Sequence, residues 1–282
     1  MTASLDISQD RALLWLMAIA CGLCAGTNYY AQPLIGSIQQ YFQVPEAQVA
    51  LTVTFAQVAY ALGLLLIVPL GDIVNKTKFI PLLLLIAALG LFISAFSSHI
   101  YMLWAGTILA SLFSVAAQVL IPFATMAVKP EKTGQVIGFL MSGLLVGILL
   151  STSLAGVLSE LWHWKAIYAL SGTLMLIIAV LLKARLPYVL RLNISYFDIF
   201  HSMGSLLHQE PRLVLRSLIG GCCFAAMSIL FSTIALLLTR PPFALTDLWI
   251  GLVTLVGVFG ALSSSYLGRF ADRGHTQTFT VL

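Results

Sequence analysis

The stretch Pro69-Leu70-Gly71-Asp72-Ile73-Val74-Asn75-Lys76-Thr77-Lys78 closes one long apolar run and opens the next. A second stretch, Gly268-Arg269-Phe270-Ala271-Asp272-Arg273-Gly274-His275, follows another apolar run, and its Asp272 lies 200 residues beyond Asp72. Polar corners of one acid and several bases, repeated at a fixed offset between apolar runs, read as a duplicated membrane fold.

Composition sets the solvent. Hydrophobic residues make up 60% of the chain and charged residues 9%, with a mean hydropathy of +1.01, whereas a soluble domain carries about 25% charge. About 20 apolar residues cross the hydrocarbon core as a helix. Only helices and closed barrels satisfy the backbone there, and these runs are too long for barrel strands. The reading is an all-α polytopic protein with the lipid bilayer as its partner. The net charge of +4 comes from bases scattered singly, with no basic run or aromatic interleaving, so nucleic acid is not expected as a partner. The apolar stretch after Asp6, Asp10 and Arg11 is too long for a signal-peptide core and no small-residue cleavage pattern closes it, so it reads as a retained first span.

Eight apolar segments are predicted, at about 12–36, 48–71, 79–97, 101–127, 134–158, 164–185, 212–238 and 246–268. Six of them fill residues 1–185, a complete six-helix half. Residues 186–211, with Arg191, Asp198, His201, His208 and Glu210, form a cytosolic linker. Residues 212–282 carry spans seven and eight and the loop after them, the opening of a second half. With a cytosolic N-terminus, twelve Lys and Arg residues fall on the inside and two, Lys165 and Arg240, on the outside. That is the positive-inside bias of a multi-pass protein of the cell's inner (plasma) membrane.

A shift of 200 residues also lays Gly22 on Cys222, Ala25 on Ala225 and Gly26 on Ala226. Small residues of this kind let helices approach closely, and Cys21, Cys24, Cys222 and Cys223 read the same way rather than as redox or metal pairs. At these corners the chain resembles the major facilitator superfamily of secondary transporters, and in particular its bacterial drug-efflux-like members. That family's loop between spans two and three reads Gly-x-x-x-Asp-Arg-x-Gly-Arg-Arg. Gly268, Asp272 and Arg273 match it in the second copy, with Gly274 one place early. In the first copy Asp72 and Lys76 match, Asn75 replaces a glycine, and Val68 and Ile73 depart from the pattern. Asn tolerates a left-handed turn better than other non-glycine residues. Asn28-Tyr29-Tyr30-Ala31-Gln32-Pro33-Leu34 is similar to a signature of one subgroup of these transporters.

The resemblance implies an inner gate, with Asp72 and Lys76 or Lys78 in the first copy and Asp272 with Arg269 or Arg273, after Gly268, in the second. It also implies two six-span halves, so the chain looks like such a transporter truncated in its C-terminal half. The family's usual span-four arginine is missing. So is the Gly-Pro step of proton-coupled exporters, because Ile148 follows Gly147.

Intramembrane polar groups face a cavity or another helix. The candidate substrate path is Asn28, Tyr29, Gln32, Gln57 and Gln118, and Tyr30 reads equally as an interfacial anchor. Gly143, Gly147 and Ser151, spaced by four, make a stripe for close helix contact. No acid or histidine falls deep in any span, which leaves proton coupling without a carrier. Ser142, Ser151 and Cys223 have no base at comparable depth, so an enzyme is not expected, and nothing asks for a cofactor or a metal.

The function expected is transport of an unknown small molecule by alternating access, with export of amphipathic compounds as the specific form. Two spans of a second half do not complete a far wall, so these residues alone are expected to be inactive. The alternative is a non-transporting membrane protein, either the product of a disrupted gene or a subunit for a membrane partner chain.

Overall fold

The computed structural model describes residues 6–189 and 195–254. Among these the regular structure is all helical, and six segments are long and apolar enough to cross a bilayer: Glu46–Ile73, Lys76–Ala95, Ile100–Met126, Pro130–Leu161, Ala166–Arg185 and Pro211–Leu230. Arg11–Thr27 is a shorter apolar helix. Of the eighth segment, the described part is Asp247–Thr254.

The first segment is not one helix. Helix α1 (Arg11–Thr27) ends at Asn28, and α2 (Ile35–Phe42) resumes seven residues on. Pro33 causes the gap. It has no N–H, and in a helix its ring would strike the Tyr29 carbonyl. The Gln32 N–H takes that carbonyl instead, at 3.3 Å. Span two is α3 (Glu46–Leu66) with the short α4 (Leu70–Ile73), broken at Pro69. Span three is α5 (Lys76–Ala95).

Span four also breaks, into α6 (Ile100–Phe113) and α7 (Ala116–Met126). At that break the Ser114 hydroxyl donates to the Ser111 carbonyl at 2.9 Å. A hydroxyl competing for helix carbonyls bends a helix. Spans five and six are α8 (Thr133–Leu161) and α9 (Ala166–Arg185).

The connector read at 186–211 holds a helix of its own, α10 (Tyr196–Gln209), started by the Asp198 carboxylate accepting from the Ser195 N–H at 3.2 Å. Span seven, α11 (Pro211–Thr239), begins with proline at its first position, where a missing N–H does no harm. Residues Asp247–Thr254 form α12.

Successive spans run antiparallel. Lys76, Lys78, Lys129, Lys132, Lys183 and Arg185 mark one end of the bundle (the basic end), while Lys165 and Arg240 lie at the far end. Small residues set the closest approaches. A Cβ on Gly22 of α1 would sit 2.8 Å from the Gly143 carbonyl of α8, and one on Gly147 would strike the Gly22 backbone. One turn on, a Cβ on Gly26 would lie 2.9 Å from the Ser151 Cβ. The Gly143–Gly147–Ser151 stripe therefore faces α1. Gly90 of α5 and Gly106 of α6 form a second such contact, and Gly63 of α3 a third, against the Leu112 carbonyl.

Large apolar side chains such as Leu62, Leu65, Leu89, Val146 and Val180 are exposed on the bundle's outside. In water they would make a sticky surface; in a bilayer they meet acyl chains.

Candidate functional site

Two helix breaks meet near mid-depth. Asn28 stands about 25 Å along α1 from the basic end, and Ser114 about 21 Å along α6 from the far end, at 1.5 Å per residue. The Asn28 Nδ2 donates to Ser114 Oγ at 3.3 Å and to the Cys24 carbonyl at 3.4 Å. One turn beyond Ser114, Gln118 Nε2 of α7 donates to the Tyr60 hydroxyl of α3 at 3.3 Å. These two bonds make a polar seam joining spans one, four and two.

Tyr29, Gln57 and Gln118 are half-buried, whereas Asn28 and Gln32 are buried. Gln57 precedes Tyr60 by about one turn of α3. Among the described residues no side-chain hydrogen bond ties Gln57, Gln32 or Tyr29 to the seam. Sequence reasoning missed Tyr60 and Ser114, whose pairings cross 58 and 86 residues of chain.

At the basic end, the corner quoted first folds as an ion pair across the junction of α4 and α5. Lys76 Nζ lies 3.2 Å from Asp72 Oδ1, four residues back, with the lysine buried and the aspartate half exposed. Asn75 caps α5, its side-chain oxygen accepting from the Thr77 N–H at 3.0 Å. Lys78 forms no ion pair among the described residues. Gly268, Arg269, Asp272 and Arg273 lie outside the described residues.

Two further contacts tie the linker side to this corner. Thr77 Oγ1 donates to the Pro187 carbonyl at 3.0 Å, and the Tyr196 hydroxyl donates to the Leu66 carbonyl at 2.7 Å. Leu66 is the last residue of α3, and Leu70, which would otherwise donate to it, instead bonds Ile67.

At the far end, later helices are clasped to the first six spans. The Asp247 carboxylate, first in α12, accepts from Ser159 Oγ of α8 at 2.6 Å and from Ser37 Oγ of α2. Ser153 Oγ of α8 donates to the Gly251 carbonyl at 3.0 Å. Arg240, after α11, pairs with Glu46 at the start of α3 at 2.8 Å. A polar cleft of about 730 Å³ opens beside this clasp, lined by Gln39, Gln40, Gln43, Glu160 and Asp247. By contrast, α11 residues 211–226, toward the basic end, are exposed apart from Val214, which is half-buried. Asp247 was legible only as an acid at the head of an apolar run.

The far end also carries an aromatic cap. Lys165 Nζ lies 4.3 Å from the Tyr41 ring centre and donates to the Tyr41 hydroxyl at 2.9 Å, while the His163 ring meets Tyr41 edge-on at 5.3 Å. Burial, and then the Lys165 charge, hold the His163 pKa below its ordinary value.

A bundle of antiparallel spans, with two broken helices meeting at a polar seam and later spans clasped at one end, is the architecture of a polytopic membrane transport protein. The chain belongs to the Major Facilitator Superfamily, whose family model matches residues 14–282. It is 42% identical to the uncharacterized transporter YgaY of Escherichia coli O157:H7 over 96% of its own length and 70% of that protein's. It is 26% identical to the uncharacterized MFS-type transporter YybF of Bacillus subtilis strain 168, over 87% of this chain and 61% of that protein. Among solved structures, a bacterial homolog of the human lysosomal transporter Spinster, in an inward-facing and unoccupied conformation, superposes with a TM-score of 0.69. That match has 17% identity and covers 94% of this chain and 63% of the other, so it speaks for the fold.

Proposed function

We propose that this chain forms one wall of a secondary transporter that exports small amphipathic molecules by alternating access, and that the arrangement seen is inward-facing. One observation carries the reading: the later spans are held to the first six at the far end, through Asp247, Gly251 and Arg240, while α11 stands exposed toward the basic end. Closed at one end and open at the other is what a rocking pair of halves presents in one of its two states.

The basic end faces the cytosol, by the charge bias, so the N-terminus is cytosolic and the protein sits multi-pass in the inner membrane. Asn28, Tyr29, Gln32, Gln57 and Gln118, with Tyr60, give a wall with hydrogen-bonding capacity and no charge. That suits amphipathic molecules better than phosphates or multiply hydroxylated sugars. Asp72, Lys76 and Lys78, together with Gly268, Arg269, Asp272 and Arg273, serve as the inner gate that closes when the far end opens. The chain spans 70% of the length of the E. coli relative, and the export reading concerns the whole transporter.

The test uses bacteria lacking their own efflux pumps and a panel of fluorescent amphipathic dyes. The chain extended with the remaining spans of the 42%-identical E. coli relative should lower dye accumulation, and Gln118→Leu should change which dyes are exported. No change in accumulation of any dye by the extended chain would overturn the export reading.

A further inference from the structure

Among the described residues, six buried side-chain polar atoms have no hydrogen-bond partner, and five of them belong to one place. Asn28 Oδ1, Ser94 Oγ, Thr107 Oγ1, Ser111 Oγ and the Tyr168 hydroxyl belong to residues that line a single small cavity between α1, α5, α6 and α9. These residues are 0–6% exposed. Its other walls are Ala31, Ala56, Leu91 and Ala110, with Thr27, whose hydroxyl is spent on the Leu23 carbonyl. The cavity has room for about one water-sized sphere, about 10 Å³. Buried oxygens left unpaired are costly one at a time, and native folds hold few of them. Elsewhere in the bundle hydroxyls turn back onto their own backbone, as Thr173 does to Ala169 and Ser142 to Gly138; those of Ser94, Thr107 and Ser111 do not.

The chemistry selects the guest. All five free atoms are oxygens. The Asn28 amide nitrogen is already spent on Ser114 and Cys24, leaving its carbonyl oxygen. No N–H is left over to receive an anion, and no carboxylate lines the cavity to hold a divalent ion. Two half-helices, α1 and α6, also end here, each with the negative end of its dipole. Broken membrane helices place such ends around small monovalent cations. Potassium is about as large as a water molecule and sodium is smaller, so either enters this space; hydroxyl oxygens that rotate inward hold the smaller, more strongly polarising sodium more tightly.

We propose that Asn28, Ser94, Thr107, Ser111 and Tyr168 form a binding site for one sodium ion inside the first six-span bundle. The ion ties the two helix breaks together through Asn28, whose amide holds Ser114, one turn from the Gln118–Tyr60 bond of the substrate wall. An ion bound there stiffens that wall without any ionised side chain at membrane depth. The site goes beyond the transport reading, and its test reads ion binding rather than export, so either can fail alone.

The experiment is equilibrium binding of radioactive sodium to the purified 282-residue chain in detergent micelles, with its helical content checked by circular dichroism. Saturable binding of a single ion per chain is expected, displaced by unlabelled sodium chloride and not by equal potassium or choline chloride. Thr107→Val keeps the volume and removes one oxygen, and Ser111→Ala removes another; each should weaken binding by about tenfold or more. Ser142→Ala, exposed on α8 with its hydroxyl on the Gly138 carbonyl, should bind as the parent does. Absence of saturable binding by the folded parent chain overturns the site and leaves a cavity for water. Displacement by potassium as readily as by sodium, or full binding by both cavity variants, overturns it as well.

Discussion

Ser159 of α8 donates a 2.6 Å hydrogen bond to Asp247 of α12, and the same carboxylate oxygen accepts from Ser37 of α2. One acid from the eighth span thus closes the far end against the first and fifth. Hydrogen bonds to an ionised acceptor contribute about 1.5–3 kcal/mol each. Asp247→Ala is expected to favour the far-end-open state by about 2 kcal/mol, roughly thirtyfold. Spin labels at Tyr41→Cys and Phe243→Cys, with the native cysteines replaced, should report a longer far-end distance in the variant. An unchanged distance distribution would remove Asp247 from the closure.

The ion pair at the basic end is lopsided, which sets the order of two substitutions. Asp72→Asn leaves a buried ammonium unpartnered, whereas Lys76→Met leaves a carboxylate that water already reaches. The first should destabilise the bundle by about 1–2 kcal/mol, short of a fully buried pair because solvent screens the aspartate. The second should be near neutral. Thermal unfolding in detergent measures both, and the reverse order would contradict the burial argument.

Gly147 touches α1 too closely for any side chain. Gly147→Ala should cost about 1–3 kcal/mol through overpacking. Gly138→Ala, nine residues earlier on α8 with nothing within 4 Å of its Cβ position, should instead gain up to about 1 kcal/mol from helix propensity. A pair of melting curves separates packing from propensity.

The far-end cap should respond to acid through His163. Its folded pKa lies below the ordinary 6.5, because of burial first and Lys165 second. As pH falls through 6.5 the unfolded chain takes up the proton first, so this group lowers stability across that window and contributes nothing above it. His163→Gln should flatten the difference in melting temperature between pH 7.5 and pH 5.5. A slope unchanged by the substitution would place the acid response elsewhere.

What was readable in advance divides by range. The Asp72–Lys76 pair is four residues apart across the short corner between α4 and α5, so the local chain brings it together. The Gly143–Gly147–Ser151 stripe is legible for the same reason, since spacing by four is one face. The break after Thr27 is written in Pro33, but a continuous apolar run hides it from a hydropathy reading. The break at Ser114 has no proline beside it and emerges only where its hydroxyl takes the Ser111 carbonyl. Partners from distant spans, such as Tyr60 for Gln118 or Ser159 for Asp247, depend on which helices become neighbours. Beside Asn28, the other four cavity oxygens look in sequence like two ordinary serines, a threonine and a tyrosine, because nothing local marks a hydroxyl that has no carbonyl to turn to.

The two ties at the far end differ in kind. Arg240 and Glu46 are opposite charges, the arginine largely exposed, and dissolved ions weaken such an attraction. Asp247 is held by two neutral serine hydroxyls in a half-buried site, where counterions have no opposite charge to replace. Raising the ionic strength at this end therefore loosens one tie and spares the other, so its closure persists from dilute water to brine.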